Sequence, residues 1–452
     1  MNISREKTDE LNSVISVVIE KNDYEERVGN TLKDYRRKAR IDGFRPGKVP
    51  FGLVNKLYRK PVLVEEVNNI LNETLTKYFV DEKLNILGEP LPNETRQKNF
   101  DWDHDTSFEF VIDVGLAPEL DITVSPKDKF ALYKIKIDEK IRDEYTEKYR
   151  ARLGKFIEKD AAGNQSVIKA DIIQVDNEGN AVDEGIRVED ASLSLQMIQD
   201  DKILKTLLGI KKDDEIQVNL KKAYPNNVDL ASLLKVDINV VELINGEFIL
   251  KIKSVTEFEN AEVNQEFYDR LFGKDAVKST EEYHDKLDQI IKSDFNHDAA
   301  YKFSIDVREF YVGKFKKDLP QEFLKRWLVQ VNKDKFTPEQ IEKDFNHFLE
   351  DLKWQLIKDK VSKENNLKVT EEELLEYAKN FTRIQFAQYY GISDFPEEHL
   401  ANYANELLKK DEERRKMAER IFENKIIDFI KNTAKIEEKE ISSEKFNKLL
   451  EK

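Results

Sequence analysis

The chain has 452 residues, enough for about three domains, and its formal net charge of −15 argues against a general nucleic-acid binder such as a DNA-binding protein. It holds no cysteine, which excludes disulfides and thiolate chemistry, and only 15 glycines and 11 prolines, which favours long helices over many tight turns. The opening MNISREKTDELN has no apolar signal core and no stretch approaches 18 apolar residues, so a soluble, cytoplasmic protein without membrane contact is expected.

Residues 1–118 read as a compact α+β domain. SVISVVIE (13–20) is β-branched and predicts a strand. Asn22 with Glu25 resembles a capping box, opening a helix whose apolar positions Tyr24, Val28, Leu32, Tyr35 and Ala39 follow helical spacing. Arg36, Arg37, Lys38 and Arg40 fill its last turn, where cations suit the helix dipole. Then comes IDGFRPGKVP (41–50). Pro50 suits a helix start before Leu53, Val54 and Leu57, and a further helix carries Val64, Val67, Leu71, Leu75 and Phe79. SFEFVIDV (107–114) alternates, which places Phe108, Phe110, Ile112 and Val114 on one strand face.

Residues 119–159 predict an extended connecting arm that ends in a helical segment bearing Ile141, Tyr145, Tyr149 and Leu153. Residues 160–257 predict a small β-rich domain. ADIIQVDNEGN ends in a turn, DEIQVNL alternates, and VDINVVELINGEFILKIKSV carries Asn245-Gly246, a strong hairpin signal. Residues 258–452 predict an all-α domain. Its stripes include Phe303, Val307, Phe310 and Tyr311; a helix begun at Pro320 with Phe323, Trp327 and Val331; and Met417, Ile421, Phe422, Ile426, Phe429 and Ile430.

The loop at 41–50 carries the chemistry. Between Lys33 and Lys60 stand ten Lys or Arg residues against Asp34 and Asp42, a basic patch on an acidic body that points to one polyanionic partner. GFRPGK is not a phosphate-binding P-loop: three residues separate Gly43 from Gly47, and Val49 follows Lys48 where Ser or Thr is needed. Pro46 and Gly47 fit the centre of a type II turn, and proline biases Arg45 toward an extended backbone. Phe44 is read either as a residue folded back into a small core or as an aromatic held at a stiff tip beside Arg45.

Elsewhere His104, His284, His297, His347 and His399 are scattered without a metal-ligand spacing. Runs such as Glu371-Glu372-Glu373 read as solvated helix faces, so no metal and no cofactor is expected. Most residues of the apolar helical stripes read as interhelical core. Phe310, Phe323, Trp327 and Phe422 are candidates for a minority that meets unfolded chains.

GFRPGKVP, after a basic helix and before VNKLYRKPVLVEEVNNIL, resembles the ribosome-binding signature of bacterial trigger factors, and the resemblance extends over the whole chain. It implies a multidomain α+β protein: a ribosome-binding head, a small FKBP-like β-rich domain and a helical C-terminal chaperone domain. It implies an ATP-independent chaperone docked at the exit tunnel, with ribosomal protein, rRNA and nascent or unfolded polypeptides as partners. Members often dimerise off the ribosome, so a homodimer is an expectation of the resemblance alone. Gly43, Phe44, Arg45, Pro46, Gly47 and Lys48, with Arg36, Arg37, Lys38 and Arg40, fall on the docking positions, Pro46 where many members carry a basic residue.

The FKBP-like module departs from its pattern. Asn177 stands where an aromatic is expected, and no Pro-Gly-Phe precedes Gly209-Ile210. An isomerase of this kind encloses proline in an aromatic, dry pocket; Tyr224-Pro225 and Phe248 are available to contribute, but their spacing assembles no pocket. Prolyl isomerisation is therefore the alternative function, and no catalytic residue is assigned. A helical scaffold without ribosome contact is a third reading, which leaves the stiff basic loop unexplained.

Overall fold

A computed structural model describes residues 2–38, 40, 42, 44, 48–176, 178–244, 246–333, 335–390 and 396–451, with side chains for all of these except 388–390. These residues form two compact units, Met1–Leu132 with Ala300–Lys439, and Tyr133–Ala299 with Glu440–Lys452. No helix among them is long and apolar enough to cross a membrane.

The first unit begins with an antiparallel sheet of order β1-β2-β4-β3: β1 Asn2–Lys7, β2 Asn12–Glu20, β3 Ile86–Pro92 and β4 Ser107–Leu116. The two-residue period of β2 buries Ser13, Ile15, Val17 and Ile19 on one face. Register sets Ile15 opposite Ile112, Val17 opposite Phe110 and Ile19 opposite Phe108, so the apolar faces of β2 and β4 form one floor. Two helices cover it, α1 (Lys21–Lys38) through Tyr24, Val28 and Leu32, and α2 (Phe51–Asp81).

Two expectations change here. The start of α1 is held by Asp23, whose carboxylate accepts from the Glu20 N–H at 2.9 Å, so the reciprocal partner lies outside the Asn22–Glu25 pair. The two helices expected after Pro50 are one, with Pro61 inside. A mid-helix proline costs about 3 kcal/mol. The seven buried side chains of α2, from Val54 to Leu75, each contribute about 1.5–3 kcal/mol, which carries the helix through.

In the second unit, after β5 (Lys129–Ile135), come α3 (Glu139–Leu153), β6 (Lys155–Glu158), β7 (Ser166–Gln174) and β8 (Arg187–Ser194). They are followed by α4 (Asp201–Leu207), β9 (Glu215–Asn219), α5 (Leu220–Ala223), α6 (Asn227–Leu234), α7 (Ile238–Leu243) and β10 (Glu247–Glu259). The 13-residue β10 is the spine: β7 runs along one edge, β9 and β6 share the other, and β8 lies beyond β7. The residues at the end of the expected arm, Lys155–Glu158, are therefore a strand of this sheet.

The expected hairpin at Asn245-Gly246 is overturned. Asn245 lies outside the described residues, but the segment before it is the helix α7, capped by the Asp237 side chain, which accepts from Asn239 N. Both edges of β10 are already occupied, and Val241 reaches full burial only from a helix packed on the sheet. Gly246 has φ +84°, and a side chain there would stand 2.7 Å from Lys221 Cβ.

The remaining helices are α8 (Gln265–Phe272), α9 (Thr280–Lys314), α10 (Gln321–Val331), α11 (Pro338–Asn365), α12 (Glu371–Tyr390), α13 (Glu397–Leu408), α14 (Asp411–Thr433) and α15 (Ser443–Leu450). One short strand, β11 (Lys435–Ile441), interrupts them and pairs with β5. In the first unit, Phe303, Val307, Tyr311, Phe323, Trp354, Ile357, Ile426 and Ile430 make one interhelical core. α10 also packs on the head sheet. Gly88 and Gly115 leave gaps there: a Cβ would stand 2.7 Å from the Trp327 ring and 2.5 Å from the Phe323 ring respectively. Trp327 Nε1 is buried there without a hydrogen-bond partner among the described residues.

Candidate docking surface

The candidate docking end of the head lies where α1 stops and α2 begins. Cations gather in the last turn of α1 because Lys and Arg there face unpaired helix carbonyls. Gly43, Arg45, Pro46 and Gly47 lie outside the described residues, as do Ala39 and Ile41. Phe44 is described and 41% exposed, so it is not a core residue. Tyr35, Phe51 and Leu57 are exposed nearby in sequence on the adjoining helix ends, and the Tyr35 and Tyr58 rings lie 5.5 Å apart. These two tyrosines, with Thr31, Asp34 and Lys38, line an open hollow of about 560 Å³ between α1 and α2. Sequence reasoning placed Tyr35 and Leu57 on apolar helix positions and did not foresee that both are exposed.

The cations fall into two groups. Five are engaged by other residues of the head, among them Lys33, which donates to Asn30 Oδ1 at 3.3 Å. Arg59 grips Glu25 through Nη2 at 2.8 and 3.0 Å and holds that carboxyl below its ordinary value. Lys60 meets Asp103 at 2.6 Å, Arg37 meets Asp34 at 3.3 Å, and Arg36 donates its Nε–H to the Val49 carbonyl at 2.8 Å. Lys38, Arg40, Lys48 and Lys56 are exposed and make no ion pair or hydrogen bond with another described residue. The local positive charge remains, but the cations free to replace phosphate counterions are fewer than the sequence count of ten.

The four candidate client residues sit in or against the interhelical core. Phe323 is 3% exposed and fills the Gly115 gap, so an incoming chain cannot reach it. Phe310 is half-buried, 5.0 Å from the Phe130 ring and with Lys314 Nζ 4.2 Å from its own centroid. Trp327 and Phe422 are half-buried against the same core. Among the described residues, the large apolar side chains of this part of the unit that do face water are Tyr301, Val331, Phe336, Phe381, Ile384 and Tyr403.

In the β-rich domain Phe248 is fully buried and Tyr224 is 5% exposed, its hydroxyl donating to the Ser194 carbonyl at 3.2 Å. Burial drives the Tyr224 pKa up to about 12. Leu207 and Ile210 are buried beside them in the same core, and Leu230, Leu234 and Val241 of α6 and α7 close that core from above. Asn177 lies outside the described residues. Among the described residues no group of three His, Cys, Asp or Glu side chains stands ready to hold a metal.

An α+β head, followed along the chain by a β-rich module and a helical body, defines a multidomain α+β protein. Family models agree in sequence along the chain: one described as bacterial trigger factor protein matches residues 1–149, one for the trigger factor FKBP-like domain 156–260, and one for the trigger factor C-terminal domain 299–450. The chain belongs to the trigger factor family of chaperones. It is 23% identical to the trigger factor of Pelagibacter ubique over 100% of this chain and 89% of that one. It is 25% identical to that of Caulobacter vibrioides over 98% and 97%. A solved chain described as "Promiscuous Substrate Recognition in Folding and Assembly Activities of the Trigger Factor Chaperone" aligns over 95% of this chain and 99% of its own, at 16% identity and a TM-score of 0.44.

Proposed function

We propose that this protein is an ATP-independent chaperone that docks at the ribosomal exit tunnel through the end of the head around Phe44 and shields nascent chains. The observation that carries the docking assignment is Phe44, 41% exposed and flanked in sequence by the exposed cations Lys38, Arg40 and Lys48. An aromatic in water next to Lys38, Arg40 and Lys48 supports a mixed partner, apolar protein surface beside RNA phosphate. Gly43, Arg45, Pro46 and Gly47 complete the loop by sequence. The client surface is assigned to Tyr301, Val331, Phe336, Phe381, Ile384 and Tyr403, whose separate, exposed side chains over charged helices suit weak contact with many sequences. Burial of Tyr224 and Phe248 weighs against prolyl isomerisation as the main role.

The deciding experiment is co-sedimentation with ribosomes of the wild type beside a Phe44→Ala, Arg45→Ala, Pro46→Ala triple variant. Loss of a central aromatic–arginine pair is expected to weaken binding by at least about 30-fold while the far-UV spectrum is unchanged. Full co-sedimentation of the folded variant would remove the docking assignment.

A further inference from the structure

Arg36 lies in the basic run yet differs from its neighbours. It is half-buried, and its Nε–H is spent on the backbone carbonyl of Val49, 13 residues on, at 2.8 Å. Val49 itself is fully buried in the core of the head, immediately before Pro50 opens α2. This bond joins the last turn of α1 to the point where the chain re-enters the fold. The segment between them, residues 39 to 48, contains Phe44, Arg45 and Lys48. Lys38 and Lys48, at the two ends of that segment, are exposed and make no ion pair or hydrogen bond with another described residue.

From this geometry we infer that Arg36 is a positioning residue for the docking loop: it fixes the loop's exit through Val49 and leaves the phosphate contacts to Lys38, Arg40 and Lys48. The inference rests on the loop being the docking element. A donor in this place shortens the span the loop must close and removes closure entropy from binding. The carbonyl it satisfies belongs to a buried residue, where an unpaired acceptor is costly. The guanidinium charge is incidental to that task, and this separates the inference from a phosphate contact.

Glutamine makes the distinction testable, because its Nε2 follows Cδ as the arginine Nε does, offering an N–H at the same distance along the side chain without charge. Methionine fills the stem and offers no donor. Affinity of the full chain for ribosomes is measured over a salt series for wild type, Arg36→Gln, Arg36→Met and Arg27→Met. Arg27 braces α1 to α2 through Glu73 at 2.8 and 3.0 Å, away from the loop, and reports any general effect of loosening the helix pair. The expected result is that Arg36→Met binds about fivefold more weakly at every salt concentration with an unchanged salt slope. Arg36→Gln recovers most of that loss, and Arg27→Met follows the wild type.

Three results would overturn the inference. They are a salt slope lowered by roughly 0.7–0.9 in both Arg36 variants, as for a lost phosphate contact; wild-type binding by Arg36→Met; or an equal loss in Arg27→Met. Failure of the docking reading is seen separately, as retained binding by the triple loop variant.

Discussion

The proposed docking end of the head and the core of the β-rich domain use the same kinds of side chain to opposite ends. In the head, Phe44, Tyr35 and Phe51 stand in water among cations. In the β-rich domain, Phe248 and Tyr224 are sealed beneath α6 and α7, and the one tyrosine hydroxyl is satisfied by a backbone carbonyl. An exposed aromatic keeps its transfer free energy for a partner; a buried one has already contributed it to folding. Composition alone cannot separate the two uses. What separates them is whether the chain supplies enough apolar cover, and the helical segment 227–243 supplies it only in the β-rich domain.

The largest effect that would test this contrast is Phe248→Ala. Truncating a fully buried phenylalanine should destabilise the β-rich domain by about 3–5 kcal/mol, seen as faster hydrogen exchange at the amides of β7 and β10. Ribosome affinity should be unchanged, and the intact protein should turn over proline peptides poorly. Turnover comparable to an active FKBP-type domain would break the comparison.

Next in size is the charge counterpart. Asp128, 6% exposed, accepts from Lys314 Nζ at 2.6 Å, Tyr311 Oη at 2.8 Å and Ser125 N at 3.0 Å. Burial pushes its carboxyl up, but the bonds from Lys314, Tyr311 and Ser125 outweigh that and hold it below the ordinary value. A lowered folded value means the stabilisation is present above the unfolded aspartate value of about 3.9 and is lost as pH falls through the lower, folded one. Asp128→Asn should cost about 2 kcal/mol at neutral pH and flatten the acid limb of the stability profile. Tryptophan fluorescence during urea unfolding reads this, because Trp102, Trp327 and Trp354 all belong to the first unit. Equal acid sensitivity of variant and wild type would contradict the assignment.

The smallest effects belong to the proposed client surface. Phe336→Ser and Ile384→Ser remove side chains 55% and 64% exposed, so stability should hardly change. Each should weaken protection of an unfolded client by about fivefold or less in light scattering, since a partly buried contact is worth about 1 kcal/mol. Phe323→Ser should instead unfold the core it fills; protection lost through Phe323 without loss of stability would move the client surface back to that residue.

Much of this was legible in the residues. The β-branched run SVISVVIE and the alternation of SFEFVIDV marked the two central head strands, because β-branched residues suit the pleat and one face of an antiparallel sheet must be buried. The edge strands β1 and β3 were not legible: NISREK is polar, and Gly88 and two prolines break ILGEPLP, so pairing with stronger neighbours decides both. The continuity of α2 was not legible, because the local propensity of Pro61 is for a break that tertiary burial overrides. Asn245-Gly246 misled because the turn signal says nothing about whether both flanks are strands. At the candidate site the loop and its cations were evident from spacing, but which cations are engaged was not. Glu25, Asp103 and the Val49 carbonyl meet Arg59, Lys60 and Arg36 only through the fold.

The two glycine gaps in the head sheet have a mechanical meaning. Phe323 and Trp327 enter the sheet at Gly115 and Gly88 as two dowels enter a plate, and two dowels prevent rotation where one would allow it. Even the smallest side chain, at either gap, would lift α10 off its seat. That joint therefore has no swivel. A twist applied to the head is delivered to the helices of the same unit without lost motion, as torque through a keyed shaft.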